Sequence, residues 1–342
     1  MGQFNTRGCH GHQEILLIRI RRGQKKPRKV LVGLRKDELT EGAPIATLRH
    51  LFQHADQTAM NVVSRTQPAE SASSLAPLTI GSEEHKYAFC RMLLDTFNPY
   101  KPAVIDWPEL APDALARITG LPIWTIAVET EDRASAHIGL MAEQTKDPLV
   151  REALTLMAFE EGRHRKVLDA LVTRYGIKLD TLPKYVPSKR TEWNFMSTGY
   201  GECLDSFFAF GLFELARRSG YFPPELVETF EPVIAEEARH IIFFVNWAAY
   251  TQANTPWLMK PWFAAKRLAH LALNGLSRVG IAGDQDDFAT TGKDAVGIDI
   301  ELAQFMDLCL SENDRRMAVV DGRLLRPMIM PRAVKAARFF IR

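Results

Sequence analysis

Two pentapeptides, Glu160-Glu161-Gly162-Arg163-His164 and Glu236-Glu237-Ala238-Arg239-His240, repeat one pattern of carboxylate, guanidinium and imidazole. Around the first, Leu154, Met157, Ala158, Glu161, His164, Leu168, Leu171 and Val172 recur at steps of three and four, which is one face of an α-helix. Phe230, Val233, Ile234, Glu237, His240, Ile241 and Phe244 do the same around the second. Each motif therefore sets a Glu and a His one turn apart inside an apolar stripe that should face a core. An ionised carboxylate there is costly to desolvate unless something pairs with it or binds it. Two Glu-x-x-His helices, completed by one Glu from each of two further helices, are the side-chain set with which a four-helix bundle holds two metal ions.

Turn residues show which elements must position this set. A helix from about Pro122 to Gln144 leads through a short turn into an antiparallel helix, Pro148 to Tyr175, that stops at Gly176. A long Pro-, Lys- and Thr-rich connector, 177 to about 191, carries the chain to a helix from about Trp193 to Ser219. The turn Gly220 to Pro224 then opens a last helix, about Glu225 to Gln252. Two hairpins joined by a crossing connector predict an all-α fold, a ferritin-like four-helix bundle over 120–255, with additional N- and C-terminal helices.

Register narrows the remaining ligands. Level with Glu161 on the first helix are Glu131 and Glu129; Glu131 is preferred because Ala127, Val128, Ala134, Ser135 and Ile138 share its face, whereas Glu129 faces Asp132 and Arg133. Level with Glu237 on the third helix are Glu202 and, in reserve, Asp205; Glu214 lies too near the turn. Glu160 and Glu236 are expected to hydrogen-bond the His of the opposite motif, with Arg163 and Arg239 neutralising them. The plainer reading makes these four solvated charges on helix faces. His137, more than a turn from the metal level, is expected to be a satisfied core histidine.

The remainder of the 342 residues bounds the class. At 46% hydrophobic the chain can bury a large core, and a net charge of +2 argues against a protein built to bind nucleic acid. Four scattered cysteines without a Cys-x-x-Cys suit a reducing cytoplasm, and no apolar run is long enough for a membrane helix. Residues 1–75, with Arg19, Arg21, Arg22, Lys25, Lys26, Arg28 and Lys29, are expected to form a solvated or disordered basic extension, in which Cys9-His10-Gly11-His12 lacks a partner cluster for a metal. Residues 76–119 read as a leading helix, Glu83 to Phe97, and a Pro-punctuated connector. Residues 256–342 read as a helical extension, about 259–278 and 297–319, ending in Arg332, Lys335, Arg338 and Arg342 on a helix that should pack on the bundle or a subunit partner.

The doubled Glu-Glu-x-Arg-His resembles the doubled acidic-Glu-x-Arg-His signature of soluble ferritin-like non-haem diiron carboxylate enzymes: multicomponent monooxygenases, acyl-carrier-protein desaturases and, more loosely, the ribonucleotide reductase small subunit and arylamine N-oxygenases. The likeness covers 120–252. It implies Glu131, Glu161, His164, Glu202, Glu237 and His240 as ligands of two Fe ions, Mn/Fe or Mn being possible, with Glu161 and Glu202 or Glu237 as bridges. It also implies dioxygen activation to hydroxylate, desaturate or N-oxygenate a small or medium organic substrate. No flavin, dinucleotide or Cys-x-x-Cys module is present, so an external ferredoxin or reductase is expected as electron donor. A homodimer in the cytoplasm, without nucleic-acid or integral-membrane partners, completes the expectation. The alternative is a ferritin- or rubrerythrin-like iron-binding or peroxide-detoxifying protein.

Overall fold

The computed structural model describes residues 13–20, 28–35, 76–181, 185–283 and 300–340, and the chain divides into two compact units, Met1–Glu70 and Ser71–Arg342. In the first unit, β1 (Gln13–Ile20) and β2 (Arg28–Arg35) pair antiparallel, with Gln13 opposite Arg35 and Ile20 opposite Arg28. Both strands fall within the segment expected to be a basic extension. Both are rich in Ile, Leu and Val, which fit a pleated surface, and the segment between them carries Gly23 and Pro27. The Cys9 to His12 cluster lies outside the described residues.

The second unit is helical among its described residues: α1 (Glu83–Asp95), α2 (Pro112–Gly120), α3 (Trp124–Gln144), α4 (Pro148–Tyr175), α5 (Thr191–Ser219), α6 (Pro224–Glu228), α7 (Glu231–Asn254), α8 (Lys260–Gly283), α9 (Leu302–Ala318) and α10 (Ile329–Phe340). Helix α3 packs along α4 and α5, α5 along α7, and α7 against α4, which closes a ring of four helices. Phe89, Leu154, Met157, Phe195, Met196, Phe243 and Phe244 fill the space between these helices and α1. None of the described helices is long and apolar enough to cross a membrane.

Local chemistry explains the boundaries. Asp147 caps α4 by accepting from the backbone N–H of Leu149 (3.0 Å) and Val150 (3.1 Å), and Gly176 ends it in a left-handed turn at φ 66°. Two differences from the expected elements have a common cause in proline. Pro112 starts a short helix inside what reads as connector, its missing N–H costing nothing in a first turn. The expected helix 225–252 is broken into α6 and α7, because Pro232 has no N–H to continue the ladder and instead sits at the start of α7. At the C-terminal end, α10 buries Pro331 and Val334 and pairs Arg338 with Asp307 of α9, so the basic end packs on its own chain.

Candidate metal centre

The four-helix ring brings Glu131 (α3), Glu161 and His164 (α4) and Glu237 (α7) together, sets His240 (α7) against Glu161, and buries Glu202 (α5) where Glu161 and Glu237 act on it electrostatically. Glu131, Glu161, His164 and Glu237 each present a ligand atom within 4.8 Å of the others, a group that can hold a metal ion. His164 Nδ1 lies 3.0 Å from Glu237, 3.5 Å from Glu131 and 3.6 Å from Glu161. Across Glu161, His240 Nδ1 is 2.8 Å from its second carboxylate oxygen. The two imidazole centroids are 5.7 Å apart.

These short contacts lack hydrogen-bond geometry at the imidazole nitrogens. Both Nδ1 atoms, Glu161 Oε1 and both oxygens of Glu202 are buried without a hydrogen-bond partner. Buried polar atoms are almost always satisfied, so a cluster of inward-facing orphans needs a cause. Atoms that converge on a common ion approach each other closely without pointing at each other, and that is the geometry seen here. The donor set is rich in oxygen, poor in nitrogen and without a thiolate, so it does not favour sulfur-loving ions.

Outside the ligand atoms, the two motifs lock each other in crossed pairs. His164 Nε2 donates to Glu236 Oε2 at 2.9 Å, and His240 Nε2 donates to Glu160 Oε2 at 2.8 Å. Arg163 donates to Glu236 at 2.5 Å and Arg239 to Glu160 at 2.7 Å. These four charged side chains are buried, so they are not solvated helix-face charges. A carboxylate holding Nε2–H fixes the tautomer and turns the Nδ1 lone pair inward.

Electrostatics separate the carboxylates. Burial opposes ionising Glu161, but the His240 and His164 imidazoles outweigh it and hold its carboxyl below the usual range. Glu160 is likewise lowered, burial being outweighed by His240 and Arg239. Glu131 is pushed up to about 8 by burial, which His164 only partly offsets, and repulsion from Glu161 and Glu237 adds a smaller push. Glu202 is raised well above its ordinary value by burial and then by Glu161 and Glu237. For His164 and His240 burial opposes the charged form, yet the encircling carboxylates prevail and raise both. Without a cation the interior thus holds more carboxylate than its two imidazoles can balance.

The reserve candidates lie outside the converging group. Glu129 pairs with Arg133 on the half-exposed side of α3, and Asp205 sits one turn beyond Glu202. Glu214, near the end of α5, pairs with Arg217 at 2.6 Å and with Arg218. His137 bonds Thr198 (2.8 Å) and Tyr185 (2.5 Å), a satisfied histidine whose pKa burial lowers.

Sequence reasoning missed how α1 and the connector close this side. Arg163 donates to the carbonyls of Asn98 (2.6 Å) and Tyr100 (3.3 Å), and Arg239 to the carbonyl of Leu93 (3.1 Å) and to Thr96 (3.3 Å). The Tyr100 ring stacks on the Arg163 guanidinium at 3.9 Å, and its hydroxyl donates to Glu236 at 3.4 Å. Burial, with Glu236 nearby, pushes that phenol up to about 12, so it stays a donor. The sole hint in the sequence is an aromatic beside Asn98-Pro99, too common a feature to single out. No protein-family model, curated protein or solved structure matches this chain.

Proposed function

We propose that this centre binds two iron ions, with manganese able to replace one or both, and that the protein is a dioxygen-dependent oxidase or oxygenase of small or medium organic substrates. The observation that carries the reading is the pairing of inward orphan ligand atoms with crossed outer hydrogen bonds on both imidazoles. When bound and reduced, such a metal pair supplies the electrons and coordination sites for dioxygen activation. The protein's residues hold that chemistry in place. Glu131, Glu161, Glu202 and Glu237 offset the charge of two divalent ions, and Glu160 and Glu236 fix both imidazoles. Arg163, Arg239 and Tyr100 exclude water behind them. Glu131 and Glu237 keep 19% and 15% of their side chains exposed, against 2% for Glu161, so dioxygen and substrate approach from their side. Electrons come from a separate ferredoxin or reductase.

The test is metal analysis after anaerobic Fe(II) loading, followed by dioxygen uptake with a chemical reductant. About two irons per chain, with dioxygen consumed, is the expected result. A mineral core of many irons per chain would replace the proposal with iron storage. Failure to bind iron at all would overturn it.

A further inference from the structure

Helix α8 is mounted with its amphipathicity reversed. Its more polar side faces the bundle: Arg267 Nε donates to Tyr200 Oη at 2.9 Å, Lys266 pairs with Glu192 at 2.6 Å, and the His270 ring lies 4.0 Å from that of Trp193. Phe263 and His270 of α8 are buried on this side. The opposite side, about half the circumference, is apolar and open. On the helix Trp262 is 62% exposed, Leu268 66%, Leu273 54% and Leu276 68%, and in the short turn Trp257–Met259 that leads into it Trp257 is 77% and Leu258 68% exposed. Together they expose on the order of 800 Å², more than the largest patch of a typical monomer and comparable to what one partner contributes to a standard protein interface.

We infer that this face of α8 is the contact through which two copies of the chain form a two-fold dimer. Three properties favour a second copy over a lipid surface. Leu258, Ala265 and Ala272, and likewise Trp262, Ala269 and Leu276, recur every seven residues, the spacing that keeps a seam turned toward another helix. Ala265, Ala269, Ala272 and Gly275 among the larger side chains allow close backbone approach, which membrane insertion does not require. Lys266 and Arg267 are engaged by Glu192 and Tyr200 of the bundle, which leaves Lys260 as the exposed cation among the described side chains of α8, whereas an interfacial helix presents several to anionic headgroups. An antiparallel crossing centred on Leu268 sets Trp262 of each copy over the small side chains Ala272 and Gly275 of the other, and such a self-complementary patch closes at two copies.

The experiment is light scattering and sedimentation of the full chain, compared with Leu268→Glu/Leu276→Glu. The wild type should have twice the 38.6 kDa chain mass, and the double variant the single mass with unchanged helical signal and iron content. A companion variant, Leu268→Cys, should cross-link to itself under mild oxidant in high yield, with the wild type as control, and it tests the crossing even if the charged variant misfolds. A monomeric wild type, a charged variant that stays dimeric, or no cross-link above control would each overturn the inference. So would flotation of the wild type with anionic phosphatidylserine vesicles that the two glutamates abolish. Iron content reads the centre separately, so failure of the dimer leaves the proposed function intact, and the converse.

Discussion

Glu160 and His240, 80 residues apart, are joined by a 2.8 Å hydrogen bond whose pseudosymmetric twin joins Glu236 to His164 at 2.9 Å. Because Glu160 is held ionised by its surroundings, His240 Nε2 must be the donor, which leaves Nδ1 as the ring nitrogen turned to the interior and able to bind a cation once its proton is displaced. Glu160→Gln or Glu236→Gln removes the charge and lets an amide N–H face the ring instead. Iron affinity, read by competition with a chromophoric chelator, should fall about 10- to 100-fold for either variant. An unchanged affinity would show that the outer carboxylates do not orient ligands.

Glu161 and Glu202 should respond in opposite senses although both are buried glutamates. In the metal-free protein Glu202 has no partner and is repelled by Glu161 and Glu237, so Glu202→Leu should leave stability unchanged or raise it by about 1 to 2 kcal/mol while lowering bound iron. Glu161 balances two imidazoles, so Glu161→Leu should cost about 3 kcal/mol or more. Chemical denaturation of the stripped proteins, with metal analysis beside it, checks both. Equal losses from the two variants would contradict this division of roles.

Arg163→Lys should be damaging despite conserving charge. The guanidinium serves the Asn98 and Tyr100 carbonyls, the Glu236 carboxylate and the Tyr100 ring at once, which an ammonium cannot reproduce. A stability loss of about 2 to 4 kcal/mol is expected. Tyr100→Phe keeps the ring and loses only the long hydroxyl contact, so it should cost less than about 1 kcal/mol. Thermal melts of both variants test the ranking.

Gly199 sets how closely α5 approaches α7. A methyl group there would sit 2.2 Å from the Phe244 ring, so Gly199→Ala should destabilise by about 1 to 3 kcal/mol. Combining it with Phe244→Leu should recover part of the loss, since the clash is with that ring. Additive losses in the double variant would place the strain elsewhere.

Asp147 carries a pH dependence of known sign. It caps α4 and pairs with Lys86 at 2.6 Å; although burial opposes its ionisation, the Lys86 ammonium and the capped amides lower its pKa. A lowered folded-state pKa contributes stability above the unfolded value of about 3.9, and that contribution is lost as pH falls through the folded value. Asp147→Ala should therefore cost about 1 to 2 kcal/mol at neutral pH and progressively less below pH ~4. Denaturant titrations at neutral and acidic pH distinguish this from a pH-independent packing loss.

The period of the apolar residues around the two pentapeptides determined, from sequence alone, that Glu161, His164, Glu237 and His240 lie on the inner faces of helices, and Asp147, Gly176 and Gly220 marked where those helices turn. Turn geometry also gave the level of Glu131, which lies beside Glu161 and His164, because rise per residue converts sequence distance into depth along a hairpin. Tertiary structure alone decided what meets across helices. It brought Tyr100 and the carbonyls of Leu93 and Asn98 to the arginines, and it set the reversed mounting of α8. Periodicity records which side of a helix is apolar, but not whether that side meets its own core or another surface. Contacts between residues many tens of positions apart arise from packing and leave no local pattern to read.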